Sequence, residues 1–279
     1  TTPDRPPPPI SERAPEVRLA EATVSFPIVM VRAFPFIEGA ISGVAGKLML
    51  DTGYQGALTV NDHRVPIPGG RTIGTGVFGS GQTFEVRLIP ELADVRVGAL
   101  VFPRVTDVTT QDARLLERIT PDFIGWFGYE AFATHALKLD YRTLLATFYG
   151  EGVDYLAGEQ IVAELPFETR RLPNHPLMAG RIGDTPFLVS WDTGQQGALY
   201  TTEEGKTRLL RDGRLTPSAA GPEAFDLHGL RIGEHALPTI TGIGVETEPS
   251  PASGPIGITE PDQVTLGYGL LRQFKTVWD

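Results

Sequence analysis

The octet Asp51-Thr52-Gly53-Tyr54-Gln55-Gly56-Ala57-Leu58 is repeated as Asp192-Thr193-Gly194-Gln195-Gln196-Gly197-Ala198-Leu199, identical at seven of eight positions and 141 residues apart. Each copy follows a largely apolar run, Leu48-Met49-Leu50 before the first and Val189-Ser190-Trp191 before the second. The octet is the centre of a longer duplication. At the same offset Pro35, Gly39 and Ile41 match Pro176, Gly180 and Ile182. At an offset of 135, Val95-Arg96-Val97-Gly98 matches Leu230-Arg231-Ile232-Gly233, and at 139 Gly128-Tyr129 matches Gly267-Tyr268. Upstream, Phe26-Pro27-Ile28 matches Leu165-Pro166-Phe167 at that same offset. Blocks kept in one order with small insertions between them describe one fold unit built twice. The first copy has six extra residues between its octet and its Arg-Val-Gly block.

Length fits this reading: 279 residues hold two units of about 130 residues, each within the ordinary range of a domain. The expected division is a flexible proline-rich segment over 1–20, a first unit over 21–150, a linker over 151–160 and a second unit over 161–279. No window approaches the roughly 18 apolar residues of a membrane span, so no stable membrane insertion is expected. The formal charge of −10 argues against a nucleic-acid partner, which would favour a basic face. There are no cysteines, which removes disulfides, a thiolate nucleophile and cysteine zinc sites. A start at Thr1 with Pro6 to Pro9 behind it, together with the missing cysteines, points to a periplasmic or secreted protein.

Strand signals dominate. Thr23-Val24-Ser25-Phe26 and Ile161-Val162-Ala163-Glu164-Leu165 read as opening strands, and Phe84, Val86 and Leu88 alternate with Glu85 and Arg87. Glycine and proline punctuate the chain at short intervals and favour turns over long helices. Helices are expected at 111–119, 129–135 and 269–274. The predicted fold is mostly β.

Asp-Thr-Gly after a buried strand, present twice, resembles the pepsin/retropepsin clan of aspartic peptidases, in particular bacterial retropepsin-like proteins. The resemblance spans residues 21–279. Trp126-Phe127-Gly128 and Thr265-Leu266-Gly267 stand where the clan places an apolar-apolar-Gly segment behind each catalytic loop. It implies two similar β-barrel lobes with a cleft between them and a site complete in one chain. Asp51 and Asp192 would be the catalytic pair, supported by Thr52, Gly53, Thr193 and Gly194. The clan's usual Ser or Ala after the glycine is replaced here by Tyr54 and Gln195.

The chemistry of such a pair follows from charge. Two carboxylates about 3 Å apart cannot both ionise cheaply, so they share a proton. One then activates a water as base while the other protonates the scissile carbonyl oxygen. Neither metal nor cofactor is required. Gly74-Thr75-Gly76-Val77-Phe78-Gly79 spells a dinucleotide fingerprint but has no strand before it and no helix after it, so a nucleotide site is not expected. It reads instead as a β-hairpin in the first unit's insertion, the place of the clan's substrate-covering flap, with Gly76, Phe78 and Gly79 near its tip. The second unit's Thr216–Ala224 reads as a plain loop. His63, His135, His175, His228 and His235 show no ligand spacing and are assigned to surface or packing roles. Two functions remain: an aspartic endopeptidase acting on a peptide or protein substrate, and a catalytically silent peptide-binding protein on the same fold.

Overall fold

A computed structural model describes residues 19–77, 83–131 and 133–279. Most of the expected N-terminal leader (1–18) and the proposed hairpin tip at Phe78 and Gly79 lie outside the described residues. The protein is mostly β, arranged in barrel-like sheets.

An eight-stranded sheet forms from the first copy. Near its centre Val44–Asp51 runs parallel to Phe123–Gly128, which in turn pairs antiparallel with Leu58–Asn61. Phe34–Ile41 bonds to Val44–Asp51 along one edge and to Thr83–Val97 along the other, so the sheet curls back on itself. A nine-stranded sheet forms from the second copy on the same plan: Thr185–Trp191 runs parallel to Gln263–Leu266, which pairs antiparallel with Gly197–Tyr200.

The duplication extends to registry. Val97 faces Gly39 in the first sheet and Ile232 faces Gly180 in the second, although the two matched blocks lie at different sequence offsets. Leu50 faces Phe127, and Trp191 faces Leu266. A side chain at Gly39 would come within 2.3 Å of the Arg96 carbonyl oxygen, which explains a glycine where three strands converge.

A third sheet has four strands, in the order Thr23–Pro27, Leu145–Tyr149, Ala136–Asp140 and Lys275–Trp278. The end of the second copy is thus hydrogen-bonded to the first. Val24, Phe26, Leu137, Leu139, Ala146 and Phe148 turn inward from this sheet and join the larger hydrophobic core. Trp191 packs against this core and against that of the second sheet, while Leu271 and Tyr268, from the second copy, also pack into the first.

Several local expectations are corrected. Ile161–Leu165 forms no strand, and Ile161 and Val162 are exposed. The matching strand Thr23–Pro27 bonds to Leu145–Tyr149. Residues 111–119 form only a 3₁₀ turn at Leu116–Arg118, with Gln111 ending a strand. Asn61 pins that turn, accepting from the Ala113 N–H and donating to Glu117 and to the Phe123 carbonyl. The helix expected over 129–135 is a 3₁₀ turn at Tyr129–Ala131, and that over 269–274 is a helix at Tyr268–Leu271. Thr216–Ala224 is not a plain loop: Leu215–Pro217 pairs with Phe225–Leu227 in a short hairpin. The longest helix among the described residues, Glu203–Arg211, was not expected at all; the Thr202 hydroxyl caps it by accepting from the Gly205 N–H at 3.0 Å. No described helix is long and apolar enough to cross a membrane.

Candidate active site

The first Asp-Thr-Gly turn begins on Asp51, the last residue of its central strand, and the second follows Trp191, the last residue of its own; the same two backbone bonds anchor both. Tyr129 and Glu130 donate to the carbonyls of Tyr54 and Gln55, and Tyr268 and Gly269 donate to those of Gln195 and Gln196. The Gly-Tyr blocks of the duplication are therefore the seats on which the two loops rest. Any side chain at Gly128 would lie 2.2 Å from the Gly56 carbonyl oxygen, and one at Gly267 would lie 2.1 Å from that of Gln195.

The two loops meet through their threonines. The Thr52 N–H donates to Thr193 Oγ1 at 3.0 Å, and the Thr193 N–H donates to Thr52 Oγ1 at the same distance. Thr193 Oγ1 also donates to the Leu50 carbonyl at 2.8 Å. Both side chains are buried, and each closes a backbone hydrogen-bonding need of the opposite copy. The glycines then lie against the opposite carboxylates. A Cβ at Gly53 would fall 2.6 Å from the Asp192 carboxyl, and one at Gly194 would fall 2.5 Å from that of Asp51. All six residues singled out in the two motifs are thus brought together.

The surroundings of the two carboxyls differ. Asp192 accepts from the Gly194 N–H at 2.7 Å on one oxygen and from Gln195 Nε2 at 2.7 Å on the other, a setting suited to a carboxylate. Asp51 is held well above the ordinary carboxylate range, first by burial, then by the charge of Asp192 and a hydrogen bond to it. The Tyr54 N–H donates to Asp51 Oδ1 at 3.1 Å and works in the opposite direction. Burial and the neighbouring charge thus favour the protonated form of Asp51.

The residues that depart from the clan pattern divide. Tyr54 turns away from the pair: its hydroxyl sits between Thr59 and Thr109, 2.8 Å from Thr109 Oγ1. Gln195 does the reverse and bonds Asp192 directly. Gly76 lies in the hairpin strand Arg71–Val77, opposite Phe84, whose ring a side chain there would strike at 2.3 Å. Trp191 is half-buried, with its indole N–H on Met178 Sδ at 3.4 Å, and does not enter the pair.

Two residues near the site were not singled out by sequence. Asn174 is buried and donates from Nδ2 to the Gly53 carbonyl at 2.8 Å and the Thr52 carbonyl at 3.3 Å. His175 is half-buried, and burial pushes its imidazole below its ordinary range against the opposing charge of Asp192. Among the described residues no three His, Asp or Glu side chains are grouped as a metal ion would require. No protein-family model matches this chain, and no curated protein matches it in sequence.

The raised Asp51 has a consequence for stability. Between the unfolded value near 3.8 and the higher folded value, the unfolded chain releases a proton that the folded chain keeps. Each pH unit of that window costs about 1.4 kcal/mol of stability as pH rises. Asp51→Asn removes the cost, so this variant is expected to melt above the wild type at pH 7 and level with it near pH 3. Thermal melts across pH check this, and a variant less stable at pH 7 would place the proton elsewhere.

Proposed function

We propose that this chain is an aspartic endopeptidase of pepsin-like arrangement, with two lobes each contributing one aspartate to a single site. The reciprocal Thr52–Thr193 bonds carry the reading, because they hold two Asp-Thr-Gly turns together with each glycine against the opposite carboxyl. Asp192 acts as the base that takes a proton from the attacking water. Asp51, already protonated, gives its proton to the carbonyl oxygen of the scissile peptide bond. The C–N bond of the gem-diol then breaks: the leaving amine takes up the proton held by Asp192, and a gem-diol hydroxyl returns its proton to Asp51 as the carboxylic acid forms. The site is complete within one chain and needs no cofactor. An extended peptide or protein segment is the substrate, and the paired strands Arg71–Val77 and Thr83–Val97 take the part of a covering flap in this reading.

The alternative, a silent peptide-binding protein, draws on one contact: the Gln195 amide occupies an oxygen of Asp192. Incubation with a diverse peptide mixture from acid to neutral pH separates the two. The peptidase reading expects cleavage with a bell-shaped pH profile, reduced at least about 10³-fold in both Asp51→Asn and Asp192→Asn. Absence of cleavage by the folded wild type at every pH, with activity appearing in Gln195→Ser, would favour the binding protein.

A further inference from the structure

Ahead of the two catalytic turns the copies differ by two residues. Phe26-Pro27-Ile28 matches Leu165-Pro166-Phe167 at an offset of 139, whereas Pro35 matches Pro176 at 141. The structure places the extra pair. In the first copy Val29 faces Phe36, and the chain between them is a hairpin with Val31 facing Phe34. In the second copy the matching residues, Glu168 and Leu177, still pair, through reciprocal backbone bonds of 2.9 and 2.8 Å. The loop between them, 169–176, is two residues longer than its counterpart, 30–35.

The longer loop is anchored on its own copy. Arg170 pairs with Glu260 at 2.6 Å and donates to the Gly257 carbonyl at 3.2 Å. The Arg171 N–H donates to the Ile256 carbonyl at 3.0 Å, and Leu172 packs with Leu177, Leu188, Ile256 and Ile258. From this base Asn174 crosses to the first copy. It is buried, and its Nδ2 donates to the Gly53 carbonyl at 2.8 Å and to the Thr52 carbonyl at 3.3 Å. Carbonyls only accept, so the amide must turn its nitrogen to the catalytic turn. Its oxygen is left buried without a hydrogen-bond partner among the described residues. An unpaired buried polar atom lowers stability, and an apolar side chain of similar shape would avoid it. Stability alone therefore does not account for an asparagine here.

The tie runs one way. The second copy meets four backbone groups of the first: Thr193 takes the Thr52 N–H and donates to the Leu50 carbonyl, and Asn174 holds the Thr52 and Gly53 carbonyls. In return Thr52 Oγ1 accepts from the Thr193 N–H, but the first-copy residue matching Asn174 is Ala33, which has no donor to offer.

We propose that Asn174 is a positioning residue of the aspartate pair, by which the second copy sets the place of Asp51. The proposal rests on the paired-aspartate reading above. Thr52 and Gly53 follow Asp51 directly, so a shift of their peptide units carries the Asp51 carboxyl with it. Gly53 also faces Asp192 so closely that a Cβ there would lie 2.6 Å from its carboxyl. Holding this step therefore sets one aspartate against the other. Without the amide the two carbonyls lose their donor, the turn relaxes, and Asp51 moves out of line to deliver its proton. Substrate binding is left alone, because Asn174 is buried beneath the turn.

The test uses the full chain. Asn174→Leu is expected to lower kcat at least about tenfold with KM within about twofold of the wild type. It should melt within about 4 °C of the wild type, since it removes the unpaired oxygen along with the two donors. The Asp51 carboxyl, followed by NMR titration and assigned by its loss in Asp51→Asn, should titrate at least about half a pH unit nearer its ordinary value. Leu172→Ala gives the contrast: it loosens the base of the same loop without touching the turn. It should lower the melting temperature and leave turnover and the Asp51 midpoint as they are. If Asn174→Leu does not fold, Asn174→Ala, which adds no bulk, is read in its place. An unmoved Asp51 midpoint or an unchanged kcat in the folded Asn174 variant would overturn the proposal. So would an equal effect from Leu172→Ala, which would make the packing of the loop responsible and not the amide. In a chain that cleaves nothing the peptidase reading falls, and the Asp51 midpoint alone decides: moved, it upholds the tie; unmoved, it removes it.

Discussion

Gly194→Ala is expected to leave a folded protein that cleaves peptides on the order of 10²–10³-fold more slowly than the wild type, with both aspartates still present. The new Cβ would lie 2.5 Å from the carbon and one oxygen of the Asp51 carboxyl and 2.6 Å from the other oxygen. No real contact is that short, so one group must move, and the carboxyl is the softer of the two. Its displacement moves the Asp51 carboxyl from its place beside Asp192, on which the proposed sharing of a proton depends. The fold is expected to survive because the atoms struck belong to a side chain. Gly128→Ala gives the contrast, since its Cβ meets the Gly56 carbonyl at 2.2 Å in the backbone under the Asp51 turn, and there a loss of stability is expected as well. Gly221→Ala, with nothing within 4 Å, is the neutral control. Kinetics and thermal melts on the three variants check this. Near-normal turnover in Gly194→Ala would mean the two carboxyls do not work as a pair.

Sequence carried the site further than it carried the fold around it. Asp51, Thr52, Gly53 and their duplicates were legible because each is required by a constraint that only that residue type satisfies: a carboxyl, a buried hydroxyl and an absent Cβ. The strand pairing around them was not legible: the repeat matched Gly39 with Gly180 and Val97 with Ile232, but that Val97 faces Gly39 and Ile232 faces Gly180 emerges only from the structure. Pattern misled where a partner decided the outcome. Ile161–Leu165 has the composition of a strand, but a strand needs a neighbour to bond, and these residues have none. Glu203–Arg211 was missed because its buried contribution is small, chiefly Gly205 and Leu209, so little apolar periodicity marks it. The matching first-copy segment carries Pro66 and Pro68, which bar a helix there and removed the hint the duplication would have given. Asn174 was invisible for a third reason. Its role is a contact across 121 residues or more of sequence, and the signal for it was a polar residue standing opposite Ala33.

The threonines are expected to contribute unequally to stability. Thr193 Oγ1 accepts from the Thr52 N–H and donates to the Leu50 carbonyl, whereas Thr52 Oγ1 accepts from the Thr193 N–H. Thr193→Val leaves a buried donor and a buried acceptor unpaired, at about 1–3 kcal/mol each, so a loss of about 2–6 kcal/mol is expected. Thr52→Val strands the Thr193 donor and is expected to cost about half as much. For a chain of this length each kcal/mol corresponds to roughly 2–4 °C, so Thr193→Val should melt about 4–24 °C below the wild type. Turnover should fall with it, because the same bonds hold the two turns in place, and a shift of about 1 Å in such a pair costs on the order of 10²-fold. The double variant discriminates further. The two residues share one set of bonds, so Thr52→Val with Thr193→Val should cost less than the sum of the single changes. Strict additivity, or a larger loss from Thr52→Val than from Thr193→Val, would show that the copies are held together by their packed cores, through Trp191, Tyr268 and Leu271, more than by the threonine bonds.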